Sequence, residues 1–229
     1  MAKANRVELC GGLYEGGTTP SYGFIELARK HLSIELYVMI RPRGGDFCYS
    51  KTEFEVMKRD ILAAKRLKAD GVVLGTLLSN GQIDVARTRE LVELAKPLKT
   101  TFHRAFDRAV EPFAALEAII ETGAVRLLTS GQKSTVIEGK DLLKKLVEQA
   151  NGRIEIMAGS GVNAQNALEI AQTGVQALHL TAKSTRKGQM EFSNDTLNMA
   201  SVAAINEDEI VFSDIDKIVA VKKNIASFG

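Results

Sequence analysis

The stretch IELYVMIRPRGGDFCYSKTEFEVMKRDILAAKRLKADGVVLGTLL (Ile34–Leu78) decides the fold. Its ends, IELYVMIR (Ile34–Arg41) and GVVLGTLL (Gly71–Leu78), are apolar, β-branched runs of strand length. Between them Phe54, Met57, Ile61 and Ala64 recur at the spacing of a helix buried on one face. The same alternation extends outward. Further strand-like runs are Arg6–Cys10 (RVELC), Lys99–Phe106 (KTTFHRAF), Val125–Ser130 (VRLLTS), Arg153–Gly159 (RIEIMAG) and Ala177–Ala182 (ALHLTA). Phe113, Leu116, Ile119 and Ile120 mark another helix, and Ile215–Ile225 a last one, with Asp214 as its N-cap. Strand starts are 24 to 37 residues apart, a repeat that reads as parallel sheet with crossover helices. A (β/α)₈ TIM-type barrel is the expected α/β architecture. The alternative, a doubly wound open sheet, lacks its usual GxGxxG after the first strand. Seven strands are counted where such a barrel closes with eight. The eighth is either Glu209–Phe212 (EIVF) or a strand upstream of Met1.

Composition narrows the rest. The 229 residues are 45% hydrophobic and 25% charged, which suits one globular domain over 1–229. Residues 193–229 read as a C-terminal extension and closing helix. Thirty basic and 28 acidic residues give +2, too even a balance for a nucleic-acid binder. No apolar run approaches a membrane span, and MAKANRVELC lacks the core of a signal peptide. Cys10 and Cys48 are the only cysteines, and no CxxC or HxxxH spacing occurs. Two free thiols in a reducing compartment fit better than a disulfide framework or a structural zinc site.

Alternating parity sorts each strand into two faces. The polar parity must point into the barrel, because helices cover the outside. That places Glu8, Glu35, Glu155 and His179 inside, with Arg41 and His103 near the upper end. Glu35 and Glu155 fit a structural pairing with Arg6 and Arg153 at the floor. The strand C-terminal ends build the rim where this fold carries its chemistry. Arg41 and Arg43 lie beside two glycines. Arg104, Ser130, Gly159, Gly161, Lys183 and Ser184 follow on later rim segments, with a helix opening at Asn163. Together with His179 they suit a phosphate or carboxylate. His103 and Asp107 form either an imidazole–carboxylate pair for acid–base work, or Asp107 caps the next helix. His31 ends a helix at the surface. Cys10 closes the first strand at this rim, where arginines and a histidine favour its thiolate, a soft ligand of the kind that selects Cu(I). Cys48, in the Gly45–Ser50 loop, can swing toward it.

Several of these segments carry a resemblance. RVELCGGLYEGGTTPSYG (Arg6–Gly23), VMIRPRGGDF (Val38–Phe47), TFHRAFD (Thr101–Asp107), LTSG (Leu128–Gly131), GSGV (Gly159–Val162) and HLTAKS (His179–Ser184) are similar to the CutC family of copper homeostasis proteins. The likeness runs from Arg6 to about Phe192. It implies a (β/α)₈ barrel, a cytosolic (in animals also nuclear) protein, self-association into dimers or tetramers, and Cu(I) held by cysteine thiols. Cys10 matches one family cysteine. The other lies in a strand and helix that precede this motif, and Met1–Asn5 matches only the tail of that helix. The chain therefore reads as lacking the first βα unit, with seven core strands. A family-type two-cysteine site cannot form within it. A Cys10–Cys48 site, or one shared between subunits, remains open. The residues alone support a second function: a barrel enzyme for a small anionic, perhaps phosphorylated, metabolite. His103 would be its general acid or base, Asp107 or Glu8 the orienting partner, and the arginines the anion site.

Overall fold

The computed structural model describes residues 4–192, 206 and 208–226. Seven strands lie parallel in one curled sheet, in chain order. They are β1 (Arg6–Leu9), β2 (Glu35–Met39), β3 (Gly71–Leu74), β4 (Lys99–Phe102), β5 (Arg126–Thr129), β6 (Glu155–Ala158) and β7 (Ala177–Leu178). The crossovers carry α1 (Tyr22–His31), α2 (Lys51–Arg66), α3 (Val85–Ala95), α4 (Pro112–Glu121), α5 (Lys140–Ala150) and α6 (Ala167–Ala171). Among the described residues no helix is long and apolar enough to cross a membrane.

Local chemistry sets these elements. Ser50 and Glu53 form a reciprocal capping box at the start of α2. Its Phe54, Met57, Ile61 and Ala64 then pack with Leu36, Val38, Ile40, Val72 and Leu74 on the outer face of the sheet. The opposite parity forms a separate interior cluster of Tyr37, Met39 and Val73, with Cys10 against it. Gly71 in β3 and Gly75 just beyond it leave no room for a side chain unless a neighbour shifts. A Cβ on Gly71 would sit 2.5 Å from the Tyr37 ring, and one on Gly75 2.6 Å from Nδ1 of His103.

The interior floor is a charge network. Arg6 bonds Glu35 at 3.0 Å, and Lys99 reaches the same carboxylate at 3.3 Å. Arg126 pairs with Glu155, and the Tyr37 ring lies 4.6 Å from the Arg6 guanidinium and 5.5 Å from that of Arg126. The expected Glu155–Arg153 pair is thus corrected. Arg126 and Glu155 are register partners on adjacent strands, whereas Arg153 precedes β6 and pairs with Glu117 on α4.

Three boundaries also differ from the sequence reading. Glu209–Phe212 is not a barrel strand: β9 (Glu209–Ser213) pairs antiparallel with β8 (Lys183–Lys187) in a separate two-stranded sheet. The run at Ala177–Ala182 stops pairing after Leu178, and Ala182 has φ 47°. The helix expected at Asn163 begins at Ala167, because Asn163 accepts the amides of Gln165 and Asn166 in a turn. The last helix, α7 (Ile215–Ile225), does carry Asp214 as its cap and buries Val221 in the core beside α6. The part of the C-terminal extension at 193–205 lies outside the described residues.

Between β7 and β1 no strand pairing is present among the described residues. Side chains cross this seam instead. Nδ1 of His179 lies 3.5 Å from Oε2 of Glu8, and Nζ of Lys183 sits 5.0 Å from the centre of the Tyr14 ring.

Candidate functional site at the barrel mouth

The loops after β1, β2, β4 and β5 enclose an open cleft of ≈ 540 Å³. Arg41, Arg104, Arg108 and Lys133 line it together with Glu15 and Asp107. Its volume falls within the range of small-molecule sites.

Asp107 organises one wall. Its carboxylate accepts from Oγ1 of Thr129 at 2.5 Å, from N and Oγ of Ser130 at 3.1 and 2.9 Å, from N of Gln132 at 3.1 Å and from Nε of Arg104 at 2.7 Å. It neither pairs with His103 nor caps α4, whose cap is Glu111. Both sequence readings of Asp107 give way to a third: a nearly buried carboxylate that folds the β5 loop onto the β4 loop. Ser130 extends the clasp by accepting from Arg104 at 3.0 Å.

His103 is buried against Phe47 and Phe102. Its Nδ1 accepts from the Ala105 amide at 3.2 Å, which leaves the ring proton on Nε2, an atom with no partner among the described residues. Burial first, and the Arg41 charge second, push its pKa down to about 3. A neutral imidazole whose Nδ1 is engaged is an N–H donor at neutral pH. That does not match the expected general acid or base.

The two arginines of the β2 loop are fasteners. Arg41 donates to the carbonyls of Glu15, Gly17 and Gly45 at 2.7, 2.9 and 3.0 Å and stacks on Phe47. It ties the β1 loop to the β2 loop while forming part of the cleft wall. Arg43 bonds Glu53 at 2.6 Å and Asp46 at 3.0 Å and does not line the cleft. The cations left over are ones the sequence reading passed by. The Arg108 side chain makes no hydrogen bond or ion pair among the described residues, and Lys133 makes no ion pair. The signal was present, since Arg108 directly follows the quoted TFHRAFD segment.

Other expected rim residues serve elsewhere. Gly159 packs under Leu128 and His179, where a Cβ would come within 2.6 Å of Leu128. The carbonyl of Gly161 accepts from the side chains of Asn163 and Asn166. Ser184 bonds Asp214 at 3.1 Å, and Lys183 rests on Tyr14. None of these four lines the cleft. Glu8 and His179 do come together, inside the barrel.

The two thiols differ in exposure. Cys48 is exposed and Cys10 half-buried, and both are free. Burial, then the Glu8 charge, raises the Cys10 thiol above its usual value. The expected thiolate is corrected: the Arg41 and Arg43 guanidiniums are engaged by other groups, and the charge acting on Cys10 is the Glu8 carboxylate. Cys10 has a soft neighbour that sequence reading placed on the interior face without using it. A Cβ on Gly17 would lie 3.5 Å from Sγ of Cys10 and 3.6 Å from Cε of Met39. Cys10 packs against Met39 in the interior cluster, and Gly17 lies beside the Cys10 thiol and the Met39 methyl group. No group of three or more His, Cys, Asp or Glu that could hold a metal occurs among the described residues.

Fold and site together define an α/β barrel-type protein with a cationic mouth and a thiol in its interior. The chain belongs to the CutC family, whose family model matches residues 1–184. A CutC family protein of Bacteroides fragilis is 48% identical over 226 residues, covering 98% of this chain and 90% of the relative. A human protein named copper homeostasis protein cutC homolog is 45% identical over 226 residues, covering 97% of this chain and 83% of the relative. A solved CutC structure from Streptococcus agalactiae superposes with a TM-score of 0.74 at 43% identity, covering 76% of this chain and 87% of that one. An aldolase at 17% identity and a TM-score of 0.54 shares the fold alone.

Proposed function

We propose that this chain serves copper homeostasis by holding Cu(I) at Cys10, as cargo and without chemical change. The observation that carries the reading is that Cys10 packs against the cluster holding Met39 on the interior face, so that a thiol-bearing and a thioether-bearing side chain are neighbours. A thiolate and a thioether are the soft donors that select Cu(I), and two such donors make a workable site. The names of the human and mouse relatives support the role. The thiol is held protonated, so copper must displace a proton, and binding strengthens as pH rises. A cytosolic location, also nuclear in animals, and a homodimer or homotetramer belong to the same proposal through the family resemblance. Titration of Cu(I) against a competing chelator under reducing conditions tests it. One equivalent is expected in the parent and in Cys48→Ala, with loss in Cys10→Ala and weakening in Met39→Leu. Unchanged stoichiometry in Cys10→Ala contradicts the site.

A specific observation favours a second reading, in which the mouth binds a small anionic metabolite. Arg108 and Lys133 face the cleft without ion-pair partners, while Asp107 is already matched by Arg104. The positive charge left over suits a phosphate or carboxylate. Inorganic phosphate should then raise the melting temperature through linkage. The shift should vanish in the Arg108→Ala, Lys133→Ala double variant. No shift in the parent at about 50 mM phosphate, a concentration that would saturate a site of roughly millimolar Kd, removes this reading.

A further inference from the structure

We propose that the barrel mouth binds the phosphate monoester of a small polyhydroxy compound. The phosphate sits on the wall built by the β4 and β5 loops, and the hydroxyls face Glu15 and Gln132. This rests on the anionic-metabolite reading above and names the ligand class of the same site.

Charge is the first support. Arg41, Arg104, Arg108 and Lys133 line the cleft against two carboxylates, Glu15 and Asp107, which leaves a net charge of +2. A phosphate monoester carries about −1.5 to −2 near neutral pH and cancels it, whereas a single carboxylate leaves one cation over. Arg41 sharpens the imbalance. It is only 5% exposed and donates to three backbone carbonyls, yet it makes no ion pair among the described residues. A buried guanidinium without a counter-charge is unfavourable until a ligand supplies one. The β5 loop adds neutral donors. It turns through Gly131 at φ 69° and Gln132 at φ 55°. The amides of the next two residues, Lys133 and Ser134, find no acceptor among the described residues, and both residues line the cleft with Arg108. Free backbone N–H groups beside cations suit an anion with several oxygens.

Size and the remaining polar groups are the second support. The cleft of ≈ 540 Å³ equals roughly 18 water volumes of about 30 Å³ each, so a bare phosphate ion leaves most of it unfilled. The groups offered to the rest of the ligand accept hydrogen bonds. Glu15, on the β1 loop, takes the Gly44 amide on Oε2 at 3.1 Å. Its Oε1 has no partner among the described residues, and the carboxylate makes no ion pair there. Gln132 donates through Nε2 to the carbonyls of Phe106 and Ala109 at 3.2 and 2.8 Å, which leaves its Oε1 open. Hydroxyls satisfy both, because carboxylate and amide oxygens only accept. A second acid on the ligand would meet Glu15 as a like charge. An ammonium group would suit Glu15, but it would lower the ligand's charge to about −1 against the +2 of the cleft.

Isothermal titration calorimetry on the full chain, near neutral pH and at low ionic strength, separates these parts. The probes are inorganic phosphate, ribose 5-phosphate, ribonate and phosphoethanolamine. Ribose 5-phosphate should bind at least about tenfold more tightly than inorganic phosphate, the effect of one hydrogen bond to a charged acceptor. Ribonate, a carboxylate in place of the phosphate, and phosphoethanolamine should each bind at least about tenfold more weakly than ribose 5-phosphate. Arg108→Ala combined with Lys133→Ala should weaken both phosphates alike. Glu15→Ala should erase the advantage of the sugar phosphate without weakening inorganic phosphate, and Glu15→Gln, which keeps an acceptor oxygen, should restore part of it. All three side chains are exposed, so the variants should fold, and their circular dichroism should match the parent's. Equal affinity for the two phosphates in the parent, an advantage that survives Glu15→Ala, or ribonate or phosphoethanolamine binding as tightly as ribose 5-phosphate overturns the ligand class and leaves the anion reading in place. No binding of either phosphate defeats the anion reading itself, so the two failures are distinguishable.

Discussion

Replacing Asp107 with alanine separates a structural clasp from a catalytic carboxylate. The side chain is 7% exposed and accepts from both backbone and side-chain donors of the β5 loop. Removing it leaves the Ser130 and Gln132 amides without their acceptor, at about 1–3 kcal/mol for each buried unsatisfied group. The Thr129 and Ser130 hydroxyls can rotate toward other acceptors and add less. The Arg104 pair is 42% exposed on the arginine side and is discounted for solvent screening. The sum is about 3–5 kcal/mol. In a chain of this length, 1 kcal/mol moves the melting temperature by roughly 2–4 °C. Asp107→Ala should therefore melt about 6–20 °C below the parent in calorimetry, with a matching loss in urea unfolding. Asp107→Asn keeps one acceptor oxygen and should fall between. An Asp107→Ala protein that melts within about 2 °C of the parent would refute the reasoning, since the donors would then have found other partners at no cost.

Three further outcomes follow from the same structure. His103 has a folded pKa of about 3, below its unfolded value, so the unfolded chain binds the extra proton as pH falls. Its contribution to stability is intact above about pH 6.5 and is lost on acidification at up to ~1.4 kcal/mol per unit. Urea unfolding at pH 7.5 and 5.0 should show that slope in the parent and a shallower one in His103→Gln; equal slopes contradict it. Arg126→Ala removes the partner of the partly buried Glu155 carboxylate and should cost about 2–3 kcal/mol, whereas Arg153→Ala, on the exposed Glu117 pair, should cost under about 1 kcal/mol. Gly75→Ala places a methyl group 2.6 Å from His103 and should destabilise by about 1–3 kcal/mol while shifting the His103 ring resonances; unmoved resonances would mean that the ring does not rest on Gly75.

The sheet was legible because its signal is local. Runs of buried β-branched residues, helical spacing such as Phe54–Ala64, and strict parity each lie within a dozen residues. Parity alone placed Glu8, Tyr37, Met39 and His179 on the interior face. What remained hidden depends on register between distant strands. That Arg126 rather than Arg153 meets Glu155 follows from the β5–β6 register, and that Glu8 meets His179 follows from how the sheet curls. Asp107 misled for another reason. A carboxylate after a strand has several common uses, and which donors reach it is settled by the fold of the β5 loop, 22 to 25 residues downstream. Lys183 and Ser184 read as rim residues because β8 is short and polar and continues the run from β7. Its true partner, β9, lies beyond residues 193–205 in the chain.

The most direct test of the copper assignment is X-ray absorption spectroscopy at the copper edge on the full chain loaded with one equivalent of Cu(I) under reducing conditions. The Cys10–Met39 site requires a first shell of sulfur only, lost in Cys10→Ala and altered in Met39→Leu. A shell of nitrogen or oxygen, or a spectrum unchanged in Cys10→Ala, would contradict it.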